Sequence, residues 1–272
     1  MSRLMENKAA MIGLIVLLVI AVASFAGPPL CRYDINEMTL TDARQAPSFA
    51  HFCGTDTYGR DIFVRLLYGA RYSLMLGLVG ALSAFAAGVL LGLIDGYLGG
   101  TFDIIFMRVL DIWSAIPGTL MSILISTLLG TGFANTIIAL AIGNVPLIVR
   151  LIRGQILSVR KEEYLVAATT INASPFRIMF KHLLPNVVSP AIVSTTMNVG
   201  SIIVAAASLS YLGLGIQPPN PEWGAMLSAG KSYATYYPWM MWFPGAAIAA
   251  VVLCVNMFGD GMRDAIDPRL KI

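Results

Sequence analysis

Long intervals without a charged residue recur along the chain and constrain its fold more than any other feature. Positions 9–31 and 72–94 lack Asp, Glu, Lys and Arg for 23 residues each, and positions 112–149 lack them for 38. A hydrocarbon core about 30 Å thick needs about 20 apolar residues in a helix. The first two intervals each predict one membrane span. The third is too long for one span, and its division near Gly130–Gly132 predicts a helical hairpin.

Two further uncharged intervals bring the expected number of spans to six, with one at roughly 188–212 and the last within 232–259. Charged residues make up 12% of the 272 positions, about half the ~25% usual for a soluble domain, and 57% are hydrophobic. The sequence therefore predicts an all-α membrane protein with six transmembrane helices. A net charge of +3 spread along the chain argues against nucleic-acid binding. Two histidines and three widely spaced cysteines argue against a metal or redox centre.

Lysine and arginine counts predict the orientation of the spans. If the N-terminus is cytoplasmic, twelve of the 18 lysines and arginines fall in cytoplasmic segments, which fits the positive-inside rule. Both termini and the segment between the fourth and fifth spans then face the cytoplasm. The first interval also has features of a signal peptide, a basic flank and a small-residue site at Ser24-Phe25-Ala26, but its length favours a span. The twelve residues are Arg3, Lys8, Arg108, Arg150, Arg153, Arg160, Lys161, Arg177, Lys181, Arg263, Arg269 and Lys271.

The segment between the first two spans is the longest stretch predicted outside the membrane. Ile62 and Leu66, with Arg65 opposite, predict an amphipathic helix at the membrane surface, and a packed turn without a partner is the alternative. Cys31 and Cys53 both lie in this exposed segment and are candidates for a disulfide. Sequence spacing does not show whether their Cα atoms come close enough for that bond.

Two packing features are expected near the second span. Glycines at every fourth position predict a groove on one helix face, against which another helix can pack closely. Arg108 and Asp111 lie three residues apart on the way to the third span, so they are expected to pair with each other. The glycines are Gly88, Gly92, Gly96 and Gly100.

The most polar long interval between the apolar halves is EEYLVAATTINASPFRIMFKHLLPN, termed here the polar stretch (Glu162–Asn186). Helical spacing of apolar and small residues over 163–171 predicts a short helix with a face suited to close contact. Asn172 stands where a helix end favours a left-handed residue. Ser174 followed by Pro175 predicts the start of a second helix.

The second helix of the polar stretch is predicted to be amphipathic. Arg177 and Lys181 share one side of it, and Pro185 is expected to end it. The residues on the apolar side are Phe176, Met179, Phe180 and Leu183. The sequence therefore predicts two short helices joined by a bend at Asn172, between two membrane spans.

If a six-span membrane protein of this kind moves a solute, the rest of the chain contains no evident energy source for that transport. GAMLSAGKS at Gly224–Ser232 resembles a phosphate-binding loop, but five residues separate its glycines where the motif has four. Ion-coupled carriers usually place ionisable residues in mid-membrane, and none occurs at 72–94, 112–149 or 187–221. Contact with another subunit through the polar stretch is the favoured route for energy input. Four asparagines could take part in sodium binding but more often bond between helices: Asn135, Asn144, Asn198 and Asn256.

The polar stretch resembles the cytoplasmic "EAA" coupling loop of ABC importer permeases, in the form found in the dipeptide, oligopeptide and nickel family. Three further segments resemble the C-type permease subunit of that family in order and spacing: GTDTYGRDIFVRLLYGARYSL, SLSYLGLGIQPPNPEWGAML and FGDGMRDAIDPRL. The similarity covers essentially the whole chain. It implies a type I ABC importer permease fold, with an N-terminal helix and extracytoplasmic segment at 1–71 and a five-helix core at 72–272 that contains the coupling loop at 160–186.

The resemblance implies a non-catalytic subunit of the cytoplasmic membrane that binds no cofactor itself. Its partners would be a homologous second permease, two ATPase subunits that use ATP and Mg, and an extracytoplasmic substrate-binding protein. The family pattern has glycine where this chain has Asn172, and we expect asparagine to allow the same bend. Carried onto this sequence, the residues of the ATPase coupling contact are Glu163, Tyr164, Ala167, Ala168, Asn172, Ala173, Ser174, Phe176 and Phe180.

The resemblance also implies a substrate class. Di- and oligopeptides are expected, nickel or a nickel chelate is the alternative, and an ion-coupled secondary transporter is a remote one. Spans without histidine lean against bare nickel, whereas the 14 methionines keep it open. Peptide length and sequence preference do not follow from the sequence, because in this family the binding protein does much of the selecting.

Overall fold

The described part of the chain is built from helices. The computed structural model describes residues 6–266, so Arg3, Arg269 and Lys271 of the orientation argument and the end of the FGDGMRDAIDPRL segment lie outside the described residues. Between residues 6 and 266 no strand forms, and a single isolated bridge joins Thr55 to Asp61. The principal helices are α1 (Lys8–Leu30), α2 (Ile62–Leu98), α3 (Gly100–Ser114), α4 (Gly118–Leu129), α5 (Phe133–Val159), α6 (Glu163–Thr170), α7 (Ser189–Tyr211), α8 (Trp223–Gly230) and α9 (Trp239–Ile266).

Five of these helices are long and apolar enough to cross a membrane: α1, α2, α5, α7 and α9. Helices α3 and α4 meet at 83°, and this bent pair counts as the sixth span. The prediction of an all-α fold with six spans is confirmed. The turn between α4 and α5 falls at the predicted place, and Gly130 and Gly132 have φ values of 82° and 136° there, which favour glycine.

Helix α2 is the central helix of the bundle, with contacts to α1, α5 and α7. It runs unbroken for 37 residues, so the separate surface helix predicted around Ile62 and Leu66 is wrong. At about 1.5 Å per residue, α2 is roughly 55 Å long and extends well beyond a hydrocarbon core of about 30 Å. Arg65 is buried instead of facing water, and its guanidinium donates to the carbonyls of Ile35 (2.8 Å) and Pro219 (3.1 Å).

Glycines on α2 face isoleucines on α5 with the same four-residue period. A Cβ atom added at Gly88 would lie 2.5 Å from Ile148 Cβ, and one added at Gly92 would lie 2.9 Å from Ile152 Cβ. At Gly96 the corresponding distance to Ile156 Cβ is also 2.9 Å. An added Cβ atom at each of these glycines would lie closer to α5 than carbon atoms normally pack. The two helices can approach this closely only because Gly88, Gly92 and Gly96 lack side chains. Gly100 does not share the groove, because it starts α3 with φ 57° and open space beside it.

The expected pair between Arg108 and Asp111 does not form. Asp111 instead accepts a hydrogen bond from Arg150 on α5, with a distance of 3.0 Å between Arg150 Nη2 and Asp111 Oδ1. Next to this pair, Arg153 on α5 binds Asp103 on α3. Spacing within α3 did not predict the partner of Asp111, because α3 packs beside α5 and the arginines of α5 reach the carboxylates of α3.

Buried polar contacts hold the segment between α1 and α2. His51 Nδ1 lies 2.9 Å from Asp61 Oδ2, and Asp61 Oδ1 accepts from the N–H of Val64 at 2.9 Å, which ties the segment to the start of α2. Cys31 and Cys53 are both free thiols in the structure, so the disulfide considered from the sequence is not formed. Burial and the nearby Asp61 carboxylate raise the pKa of Cys53 to about 11, which favours the protonated thiol.

Candidate coupling site

Helix α6 ends in a turn built around Asn172, which has φ 54° and so confirms the predicted left-handed bend. The N–H of Ala173 donates to the carbonyl of Ala168 at 3.1 Å, and the N–H of Asn172 donates to the carbonyl of Thr169 at 3.0 Å. Together these bonds form a Schellman motif, which satisfies carbonyls that a helix end otherwise leaves unpaired. Asparagine can take this place because it tolerates the left-handed conformation better than other non-glycine residues.

The second half of the polar stretch begins as predicted. Ser174 Oγ accepts a hydrogen bond from the N–H of Arg177 at 3.4 Å, and Pro175 lies in the first turn, where its missing N–H costs nothing. Ser174 itself is exposed at the tip of the bend. The cap therefore fixes the direction in which the chain leaves Asn172.

Pro185 does not end the second helix, contrary to the prediction. A short α-helical turn at Pro175–Arg177 leads into a π-helical turn at Ile178–Leu183 and a further α-helical turn at Leu184–Val187. A proline in an α-helix removes one hydrogen bond and clashes with a carbonyl in the preceding turn. The wider π turn, in which the N–H of Leu184 reaches the carbonyl of Met179, carries the helix into the proline.

One face of the polar stretch is buried against the membrane spans. Leu165 and Ala168 are 5% and 4% exposed, and they share a hydrophobic cluster with Leu93 of α2 and Ile152 and Ile156 of α5. The expectation that Ala168 contacts a partner is therefore wrong. It lies three residues after Leu165 on the same inward side of α6, where its methyl group packs within the chain.

The second half of the stretch adds Ile178 and Leu183 to the same cluster, both buried. Ala173 and Phe180 are half-buried beside it. The predicted apolar side of the second helix included Leu183 but not Ile178, and Leu165 was not assigned to a face. Two pairs of apolar residues at helical spacing, 165 with 168 and 178 with 183, are the signal that could have indicated these inward positions.

The opposite face of α6 is exposed and largely apolar. A shallow groove of about 430 Å³ runs along it, lined by Glu163, Val166, Ala167, Thr170 and Ile171, with Lys161 at one end. Val166 is 54% exposed and Ile171 is 78% exposed. An apolar strip of this kind beside polar residues is typical of a surface that another protein covers.

Two aromatic side chains extend this surface. Phe176 is 68% exposed, and the centre of its ring lies 4.5 Å from that of Phe180. The ring of Phe180 is half-buried and packs against the ring of Phe176. Tyr164 on α6 is 39% exposed. The predicted contact residues thus separate into an outward group that a partner can reach and an inward group, led by Ala168, that holds the stretch in place.

A charged cluster ties together the helices that carry the stretch. Arg153 on α5 donates to both carboxylate oxygens of Asp103 on α3, at 2.8 Å for Nη2, and its Nε lies 3.5 Å from Asp95 on α2. Asp95 is fully buried. The guanidinium of Arg160 lies beside Gly99, where it would be only 2.5 Å from an added Cβ atom. No sequence signal indicated this cluster, because its members lie up to 65 positions apart.

The segment that resembles a phosphate-binding loop has a different structure. Glu222 Oε2 accepts from the N–H of Ala225 at 2.9 Å and thereby caps α8, while Ser73 of α2 donates to Glu222 Oε1 at 3.2 Å. Lys231 follows α8 and lies 5.3 Å from the ring centre of Tyr211. This short capped helix packed on the bundle lacks the strand, loop and helix that the phosphate-binding motif requires.

Comparison with known proteins matches both parts of the chain to transport components. Residues 88–272 match the family model described as "Binding-protein-dependent transport system inner membrane component", and residues 1–47 match that of the "N-terminal TM domain of oligopeptide transport permease C". The chain is 43% identical over 270 residues to the dipeptide transport system permease protein DppC of Alkalihalophilus pseudofirmus, covering 99% of this chain and 89% of that protein.

Two other relatives are similar over the same extent. The oligopeptide transport system permease protein OppC of Bacillus subtilis is 41% identical over 271 residues, covering 100% of this chain and 89% of that protein. The glutathione transport system permease protein GsiD of Pectobacterium atrosepticum is 43% identical over 269 residues, covering 98% of this chain and 89% of that protein.

Proposed function

Because this chain belongs to the family of binding-protein-dependent transport system inner membrane components, we propose that it is a permease subunit that imports di- or oligopeptides. As a family member it is a multi-pass inner-membrane protein and a non-catalytic component of an ABC transporter. The relatives named for dipeptide, oligopeptide and glutathione transport support a peptide substrate. They favour peptides over the nickel alternative, and the family membership argues against an ion-coupled carrier that acts alone.

The observation that carries the proposal is the division of the polar stretch into two faces. Its inward face joins the cluster of Leu93 and Ile152 in the spans, and its outward face is apolar and exposed around Ala167 and Phe176. A surface of this kind suits a cytoplasmic ATPase subunit, and its inward anchor would pass a displacement into α2 and α5. ATP and Mg would act on the ATPase subunits, outside this chain.

The full complex would contain a homologous second permease, two ATPase subunits and an extracytoplasmic substrate-binding protein. Both termini and the polar stretch would face the cytoplasm, as the distribution of lysine and arginine favours. The contact with the ATPase would involve Glu163, Tyr164, Ala167, Ile171 and Phe176. The bend at Asn172 would position the remaining residues of this contact, which are Ala173, Ser174 and Phe180.

Ala167→Asp in the reconstituted complex tests the coupling role. The substitution places a charge in the proposed contact, where an unpaired carboxylate is costly to bury. We expect peptide-stimulated ATP hydrolysis to fall at least about tenfold, which corresponds to about 1.4 kcal/mol of lost interaction.

Thr169→Asp is the matched control. Thr169 is exposed on the same helix but lies two positions away from Ala167, about 160° around the helix axis. It should leave hydrolysis near the wild-type rate. If the Ala167→Asp complex assembles and its ATP hydrolysis is still stimulated by peptide as in the wild type, the coupling assignment is wrong.

A further inference from the structure

We propose that a groove between α5, α7 and α9 is the part of this chain that contacts the peptide in the inner half of the passage. This inference rests on the proposed function and adds the surface that recognises the substrate. The groove encloses about 740 Å³, within the range of about 300–1,000 Å³ that is usual for small-molecule sites. Gln155, Ser194, Met197 and Asn198 are among its lining residues.

The three helices place this groove at their cytoplasmic ends. Gln155 lies near the end of α5, Arg263 lies near the end of α9, and Ser189 is the first residue of α7. Asn198 follows Ser189 by nine residues, which is about 14 Å along a helix axis. The groove therefore runs from the cytoplasmic surface to about half the depth of a membrane roughly 30 Å thick.

Two hydroxyl groups of α7 outside the groove bond to their own helix, whereas the buried hydroxyl of Thr195, also outside the groove, has no hydrogen-bond partner in the described range. Thr196 and Ser208 each donate to the carbonyl four residues earlier, at 2.9 and 2.8 Å, as hydroxyl groups in an apolar surrounding often do. The side chains of Gln155, Ser194 and Asn198 make no hydrogen bond with any residue in the described range 6–266. Unsatisfied polar groups facing lipid are costly, so this surface suits water and a polar solute.

The chemistry of the groove fits a peptide backbone. Each peptide unit carries one N–H donor and one carbonyl acceptor, and the amides of Gln155 and Asn198 can both donate and accept. The hydroxyl of Ser194 can do the same. Met197 adds a flexible apolar surface that adapts to side chains of different shape. Contacts of this kind bind the main chain with little dependence on peptide sequence, as a passage for many peptides requires.

Thiol labelling of the assembled complex tests the groove. Ser194→Cys and Asn198→Cys are introduced singly after the three native cysteines are replaced by serine, and they are treated with a charged methanethiosulfonate reagent that does not cross membranes. Ile192→Cys is the matched control, because Ile192 is 38% exposed on the same helix but lies outside the groove. We expect both groove cysteines to react at least about tenfold faster than the control, as water-accessible thiolates do.

Uptake measurements with dialanine and trialanine supply the second readout. Asn198→Leu should lower the uptake of both peptides roughly fivefold to tenfold, as expected when a polar contact made in transit is removed, and Thr196→Val should not. Slow labelling of both groove cysteines, crosslinking of this face to the second permease, or unchanged uptake in Asn198→Leu would overturn the proposal. Peptide-stimulated ATP hydrolysis is measured on every variant. If it persists, the proposed function stands even where the groove assignment fails.

Discussion

Gly92→Ala should weaken the pairing of α2 with α5, and the geometry at this position sets the size of the effect. A Cβ atom at position 92 would lie 2.9 Å from Ile152 Cβ and 3.0 Å from the carbonyl oxygen of Val149. Non-bonded carbon atoms prefer about 3.5–4.0 Å, so the helices must separate by roughly 0.5–1 Å. Because the nearest atoms are a Cβ and a backbone oxygen, no change of rotamer relieves the clash. Overpacking of this kind costs about 1–3 kcal/mol.

Thermal unfolding of the purified chain in detergent measures this cost. At about 2–4 °C per kcal/mol for a chain of this size, Gly92→Ala should lower the midpoint by roughly 2–12 °C relative to Gly154→Ala, which gains the same helix propensity. Gly154→Ala on α5 adds the same atom where no neighbouring heavy atom lies within 4 Å, so it is the matched control. Its midpoint should stay unchanged or rise, because alanine favours a helix by about 1 kcal/mol over glycine. Equal midpoints for the two variants would refute the argument from close packing.

Two further predictions concern the bend and the cap of α8. Asn172→Gly should preserve peptide-stimulated ATP hydrolysis. Asn172→Val should lower the free energy of unfolding by about 1–2 kcal/mol, because valine is strained at φ 54°. Equal unfolding midpoints for Asn172→Val and the wild type would contradict this. Burial raises the pKa of Glu222 above its ordinary 4.5, so the folded state retains a proton that the unfolded state loses as the pH rises above that value. Wild-type stability should therefore fall relative to Glu222→Gln as the pH rises above about 4.5, and a difference in midpoint independent of pH would contradict this.

Features governed by local chemistry could be predicted from the sequence. Five spans follow from charge-free intervals, since the membrane core excludes charges over a fixed length, whereas the bent pair of α3 and α4 carries Asp103, Arg108 and Asp111 in its first helix. The bend follows from Asn172, and the start of the next helix follows from Ser174 and Pro175, because these residues act on their own backbone. Both kinds of signal depend only on neighbouring residues, so packing could not change them.

Features set by packing could not be predicted in the same way. Ala167 and Ala168 are identical in chemistry, and only the position of the Leu93 and Ile152 cluster decides which one is buried. Asp111 has a suitable partner in its own helix, yet the neighbouring α5 brings Arg150 to it instead. The sequence lacks this information because each choice depends on a helix many residues away.

The length of α2 shows a third kind of limit. The amphipathic pattern around Ile62 differs from the apolar pattern after Arg71, and the change suggested two separate helices. Asp61 caps only the first residues, and no proline interrupts the chain before Leu98. A change in the surroundings of a helix alters its residue pattern without ending it, because a helix ends where its backbone bonds end.

The central claim is that the outward face of the polar stretch contacts an ATPase subunit. Photo-crosslinking in the assembled complex tests this directly, with a photoreactive residue placed in turn at Ala167, Phe176 and Thr169. Adducts with the ATPase subunit are predicted from Ala167 and Phe176, which are on the exposed apolar face, and not from Thr169. Absence of ATPase adducts from both Ala167 and Phe176, or an equal yield from Thr169, would contradict the claim.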